Sequence, residues 1–207
     1  MNRTIIAFMF VVFAALAATF VACTAAKAQV AYSPENHFTW RSLGNNEVEI
    51  TGYTANITTF VSIPHTIAGQ RVVSIAPEAF WVNPNLPPTR HNLHYVTIPN
   101  TVRYIGSTAF ANNSLTTIVI PDSVTYIGDN AFSWNGISAV TIGNGVTHIG
   151  NGAFAMNIPL TSIFIPDNVT HIGMIAFAAT NINAVSIPYR TTVMDMAFMP
   201  HVVVTRR

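Results

Sequence analysis

Two histidines, His148 and His171, stand 23 residues apart, and Tyr104 and Tyr126 precede them at intervals of 22. Each of the four comes immediately before an Ile-Gly pair. Equal spacing before an identical dipeptide places all four at one recurring structural position. Two imidazoles stacked there could ligate a metal or sense pH. A structural zinc site needs four ligands, and no carboxylate or thiol shares this position. The column is therefore read as an outward-facing ladder of stacked rings, without metal. His37, His65, His91, His94 and His201 are scattered. The chain has no Gly-x-Ser-x-Gly elbow, no His-Glu-x-x-His and no phosphate-cradling glycine loop. No enzyme constellation and no cofactor is implied.

The interval of 22 runs through the whole chain. The pair Ala-Phe falls with its Phe at 80, 110, 132, 154, 177 and 198, at spacings of 30, 22, 22, 23 and 21. Ile-Pro, or Ile-Gly once, recurs at 63, 98, 120, 142, 165 and 187. Such a period is the mark of a solenoid, whose units bury an apolar face only against their neighbours. Within one unit, Leu115-x-x-Ile118-x-Ile120 alternates as a short strand with its two Ile on one face. Pro121 ends it, since proline lacks the donor a central ladder requires. Val124 and Ile127 return to the interior, Gly128 permits the next bend and Phe132 fills the core. Asn113, Asn135 and Asn157, each three residues after a Phe, are expected to close the coil by bonding backbone groups. Successive strands should stack in parallel, roughly 4.8 Å apart.

The predicted architecture is thus a β-rich solenoid, a right-handed coil of short parallel strands in about six repeats of 22–23 residues. Residues 57–201 form it, with an insertion loop at 81–92. Alternation at His37-Phe38-Thr39-Trp40-Arg41 and Glu47-Val48-Glu49-Ile50-Thr51, around Gly44-Asn45-Asn46, predicts a β-hairpin. Residues 29–56 are read as an N-terminal cap built on that hairpin, and 202–207 as a tail whose valines add a short closing strand.

On this register the strand positions that face outward are Tyr95, Thr97, Thr117, Val119, Thr141, Ser162, Phe164 and Ser186, with Ala139 and Ala184. They would line the concave sheet surface, where solenoids commonly hold partners. Tyr104, Tyr126, His148 and His171 form the second outward column. The first surface carries no carboxylate, so it offers no acid–base pair for hydrolysis. An uncharged, partly aromatic face suits recognition of protein or polymer.

Charge narrows the field further. Only 8% of the 207 residues are charged. Residues 1–28 read as a secretory signal peptide: Arg3, an apolar run from Ile5 to Ala22, then Ala26-Lys27-Ala28. Cleavage after Ala28 would leave seven arginines, no lysine and eight carboxylates. No basic stripe remains to bind nucleic acid. Phe20-Val21-Ala22-Cys23 also resembles a lipobox, which would anchor the protein at a lipidated Cys23; both routes stay open. No second apolar segment follows to span a membrane. Asn56, Asn112 and Asn168 begin glycosylation sequons.

The string Ile-Pro-x-x-Val-x-x-Ile-Gly-x-x-Ala-Phe resembles the BspA-like, treponemal-type leucine-rich repeat family, from about residue 47 to 200. The resemblance implies a secreted or surface-displayed protein that binds other proteins or adheres to host or neighbouring cells. The partner implied is an extracellular matrix, host or cell-surface protein. The alternative is an envelope-associated structural protein without host-directed adhesion.

Overall fold

The computed structural model describes residues 33–54, 59–83 and 92–207. Residues 1–28, read above as a signal peptide and containing Cys23, fall outside them, as do Asn56 and most of the insertion. The chain opens with one 3₁₀ turn, Glu35–His37, followed by β1 (Phe38–Gly44) and β2 (Glu47–Tyr53). These pair antiparallel. Asn45 and Asn46, both at positive φ, make the connecting turn, a conformation that asparagine tolerates better than most residues. Then come β3 (Phe60–Ser62), β4 (Thr66–Ile67), β5 (Gln70–Ile75), β6 (Tyr95–Thr97), β7 (Tyr104–Ile105) and β8 (Thr117–Val119). They are followed by β9 (Tyr126–Ile127), β10 (Ala139–Thr141), β11 (His148–Ile149), β12 (His171–Ile172), β13 (Ala184–Ile187), β14 (Thr192–Val193) and β15 (Val203–Arg206).

The solenoid is present, but its longest ladder is not the one the strand pattern suggests. The continuous sheet runs β1-β2-β5-β7-β9-β11-β12-β14, with β4 paired to β5. It is built on the two-residue Tyr-Ile and His-Ile segments, in parallel register Tyr104↔Tyr126↔His148↔His171. The Leu-x-x-Ile-x-Ile column instead makes three separate parallel pairs, β3–β6, β8–β10 and, with the C-terminal tail, β13–β15. No strand forms at 162–164. One reason lies just before it. Asn157-Ile158-Pro159-Leu160 has one residue more than Asn135-Gly136-Ile137. Gly136 donates its amide to Leu115 O in the preceding coil; Pro159, next to Leu160, has no amide to donate, and Leu160 bonds back to Asn157 O instead.

The core follows the repeat. The Phe80, Phe110, Phe132, Phe154, Phe177 and Phe198 rings stack nearly parallel at 4.9–5.4 Å. Around them Ile105, Ile127, Ile149 and Ile172 are fully buried, as are Val102, Val124, Val146 and Val169. At the N-terminal end Phe38 and Tyr53 extend the aromatic column, with Tyr53 6.0 Å from Phe80. The hairpin therefore covers the first coil with its own apolar rings.

The asparagine column closes the coils. Asn135 Nδ2 donates to the carbonyls of Phe110, Phe132 and Ser133, and its Oδ1 accepts from Leu115 N. Asn113 and Asn157 repeat the pattern. One side chain thus satisfies backbone groups of two successive coils that would otherwise be buried unpaired.

The glycine column has a different reason from the one bending would supply. Gly106, Gly128, Gly150 and Gly173 lie outside the positive-φ residues. A Cβ on Gly128 would lie 2.6 Å from Ser107 N and 2.7 Å from Gly106 C. Glycine is needed there because the backbones of adjacent coils almost touch. The left-handed residues are the neighbours Glu78, Thr108, Asn130, Gly152, Ile175 and Met196, each just before the Ala-Phe pair.

Phe132→Ala should cost about 3–5 kcal/mol, the usual range for a buried Phe cut to Ala. Urea unfolding would measure it. Removing the ring leaves Phe110 and Phe154 facing a gap, so a loss below about 1 kcal/mol would contradict the stacked core.

Candidate functional site

Each outward-facing strand residue has now a definite setting. Tyr95, Thr97, Thr117, Val119, Thr141, Ser162 and Phe164 are exposed, and Ser186 is half-buried. Val119 and Phe164 are nearly two-thirds exposed, at 63% and 64%. The structure does not bring all of them together. Tyr95, Thr97, Thr117 and Val119 converge on one groove of about 420 Å³. Phe60, from β3, forms its remaining apolar wall. Sequence reading omitted Phe60, although its register with Tyr95 follows from aligning Phe60-Val61-Ser62-Ile63 with Tyr95-Val96-Thr97-Ile98. Thr141 lies on β10, one coil further, opposite Val119. Phe164 stands apart beneath the Arg207 guanidinium, 4.8 Å from its ring centre. Ser186 pairs in register with Thr205.

The groove takes its shape from the sheet. β6 bonds only to β3, and β8 only to β10. The groove lies across that discontinuity, with side chains of β6 on one side and β8 on the other. Beneath it the Thr97 hydroxyl donates to Ser62 Oγ at 2.7 Å, while Ile98 and Ile118 point into the core. Its walls are apolar and aromatic, its polar groups are hydroxyls, and no charged side chain lines it. It can hold a neutral or apolar segment by surface burial, at about 25 cal/mol per Å² removed from water.

The second column forms as a ladder. Tyr104 stacks on Tyr126 at 5.0 Å, Tyr126 on His148 at 4.6 Å and His148 on His171 at 4.3 Å. The rings lie within 11° of parallel. Tyr104 is exposed, while Tyr126, His148 and His171 are half-buried. The stacked rings cover one another's faces, so the ladder presents edges. Among the described residues no group of three or more His, Cys, Asp or Glu is placed to hold a metal ion.

Stacking shifts protonation. Burial holds the His148 imidazolium below its ordinary value of 6.5, His171 lowers it further, and the Asp129 carboxylate opposes both. Burial raises the Tyr126 hydroxyl above 10, with the charges of Asp129 and Tyr104 adding to it. In the unfolded chain His148 takes up a proton near its ordinary value, whereas in the folded chain it resists. Its contribution to stability is therefore complete above that pH and falls as pH drops through the folded value. The thermal midpoint should decline as pH drops below the ordinary value of 6.5, and His148→Gln should flatten the decline. A variant profile superimposable on the parent's would refute this role.

At the N-terminal end Glu47 accepts from both Arg71 and Arg103. Their guanidinium groups hold its carboxyl below the ordinary range. Buried Glu49 accepts from Arg41 and from the Ser74 hydroxyl. Two carboxylates thus hold three arginines at this end, Glu47 being shared between Arg71 and Arg103.

Three comparisons place the chain among known proteins. The family model for the BspA type leucine rich repeat region matches residues 89–201, with six copies. The fold is similar to that of the leucine rich repeat protein of T. pallidum, at 21% identity and a TM-score of 0.67, covering 85% of this chain and 86% of that one. It is also similar to the pneumococcal vaccine antigen PcpA, at 16% identity and 0.66, covering 84% of this chain and 48% of that one. A leucine rich cell surface protein of Faecalibacterium prausnitzii A2-165 aligns at 24% identity and 0.59, covering 87% of this chain and 56% of that one. The chain thus spans about half the length of the latter two. No curated protein matches it significantly. With the stacked coils matched as repeats over more than half its length, the chain belongs to the BspA type leucine rich repeat family.

Proposed function

We propose that this protein is an exported binding module that holds a protein partner through the β6–β8 groove, as an adhesin or surface receptor does. The observation that carries the reading is the exposure of Phe60, Tyr95 and Val119 around one uncharged groove. Three large apolar side chains gathered at one place on a surface mark a contact site more often than scattered single ones do. Tyr95 is suited to the centre of such a contact, because it combines a large apolar face with a polar tip. Thr97 and Thr117 supply hydroxyls for the rim. Two of the similar solved structures are described as a vaccine antigen and a cell surface protein, which agrees with export. Residues 1–28 would direct it, with cleavage after Ala28 or lipidation at Cys23. Among the described residues no helix is long and apolar enough to cross a membrane.

The test is binding of the purified protein to a panel of extracellular matrix proteins and to intact cells. At least one should bind saturably. Tyr95→Ala and Val119→Arg should each weaken that binding by tenfold or more, about 1.4 kcal/mol, without changing the thermal midpoint. Phe164→Ala, outside the groove, should leave it intact. Failure of every panel member to bind, or equal binding by the Tyr95 and Val119 variants, would remove the proposal.

A further inference from the structure

A second groove, of about 520 Å³, lies away from the first, on the turn that follows the buried Phe column. Trp81 and Trp134 line it, with Ala111, Asn112, Asn130 and Ser133 between and beside them. The repeat itself does not call for these tryptophans. Trp81 directly follows Phe80, a position filled elsewhere by Ala111, Ser133, Ala155, Ala178 and Met199. Trp134 stands two after Phe132, where other coils carry Val82, Asn112, Met156, Ala179 and Pro200. That second position has positive φ at Asn112, Trp134, Met156 and Ala179, and Trp134 adopts +55°. The left-handed region disfavours bulky residues. Packing does not compensate, because Trp134 is 60% exposed. A residue that breaks a local rule with no structural gain points to function.

The geometry sets the width. Trp81 and Trp134 are two coils apart, and the intervening steps are 4.9 Å between Phe80 and Phe110 and 5.2 Å between Phe110 and Phe132. Their coils are thus roughly 10 Å apart, and both indoles line the groove. In the coil between them, Ala111 stands in the column of Trp81 and Asn112 in the column of Trp134. A flat six-membered ring in contact at about 4 Å with a wall on either side fits that spacing.

The polar groups decide the chemistry. Asn112 Nδ2 donates to Val82 O at 2.6 Å, which fixes its amide plane at the groove. Ser133 Oγ donates to Asn130 O, which orients its lone pairs. Thr108 and Asn130 add a hydroxyl and an amide. A purely apolar ligand would strip water from these groups without replacing its hydrogen bonds. An anionic or cationic ligand would find no charged side chain in the lining. A neutral ligand with apolar ring faces and equatorial hydroxyls meets both demands.

We infer that the Trp81–Trp134 groove binds a neutral saccharide, one pyranose ring lying between the indoles and its hydroxyls bonding to Thr108, Asn112 and Asn130. The experiment is a titration of the full chain with cellohexaose, maltohexaose and the hexamer of N-acetylglucosamine, followed by tryptophan emission and calorimetry. At least one should saturate below about 10 mM, a range suited to a single-ring site. Trp134→Ala and Trp81→Ala should each weaken it tenfold or more. Trp40→Phe, on the hairpin, and Val119→Arg, in the other groove, should not, so this site and the protein-binding groove stand or fall separately. Trp134→Ala lies at an exposed position, and an unchanged thermal midpoint would show that it folds. The inference is overturned if none of the three sugars saturates, if binding survives in the Trp81→Ala/Trp134→Ala double variant, or if only a proline-rich peptide shifts the emission.

Discussion

Everything in this molecule depends on how closely one coil lies on the next. The backbones at Gly106, Gly128, Gly150 and Gly173 approach so nearly that a methyl group would strike the preceding coil. That approach fixes a step of about 5 Å, the spacing of hydrogen-bonded strands. It is also a good distance for stacked aromatic rings. The Phe column can therefore stack continuously while the backbone ladder beside it stays bonded. One distance serves both interactions, and neither could be altered without straining the other.

The same step dictates which residues the surface can use. A side chain in one coil lies about 5 Å from its equivalent in the next, so each column places like on like. Rings tolerate this, as in Tyr104-Tyr126-His148-His171. Hydroxyls exploit it: Thr125, Thr147 and Thr170 each donate to the carbonyl at the equivalent position one coil earlier. Amides exploit it too, as Asn151 does by accepting from Met174 N while its own amide bonds to Asp129. Identical charges would repel at this range. The scarcity of charge in the sequence is in this light a consequence of the fold. Where like charges do come close, as at Arg71 and Arg103, one carboxylate, Glu47, bonds to both.

The repeat was legible because periodicity reports the coil directly. The core columns, the asparagine closures, the hairpin and the closing strand could all be read from residue type and spacing. Two things could not. The first was which strand column would carry the long sheet. Leu-x-x-Ile-x-Ile has the better alternation, yet the two-residue Tyr-Ile and His-Ile segments hold the unbroken ladder. Alternation reports which face is buried, whereas ladder continuity depends on how each coil's amides meet the carbonyls of the next. One extra residue and Pro159 accompany the missing strand at 162–164, yet β6 and β8 part between coils of equal length and the His148–His171 pairing crosses the longer coil intact. The second was the purpose of the glycines, since close approach between coils leaves no trace in local pattern and only the stacked geometry distinguishes it from a bend.

These limits explain where function can reside. Columns that build the coil are held to Ile, Val, Phe, Asn and Gly by packing, and their identity says little about a ligand. Information collects where a column departs from its neighbours without a structural reason. Val119 and Tyr95 rise among threonines at the discontinuity between β6 and β8. Trp81 and Trp134 are the aromatic residues in columns otherwise filled by Ala, Ser, Asn, Val, Met and Pro, on the turn beyond the Phe stack. Both departures sit beside grooves, and both put large rings or branched chains into water at a cost the core does not repay. A regular solenoid makes such exceptions visible, because each coil supplies the control for the one beside it.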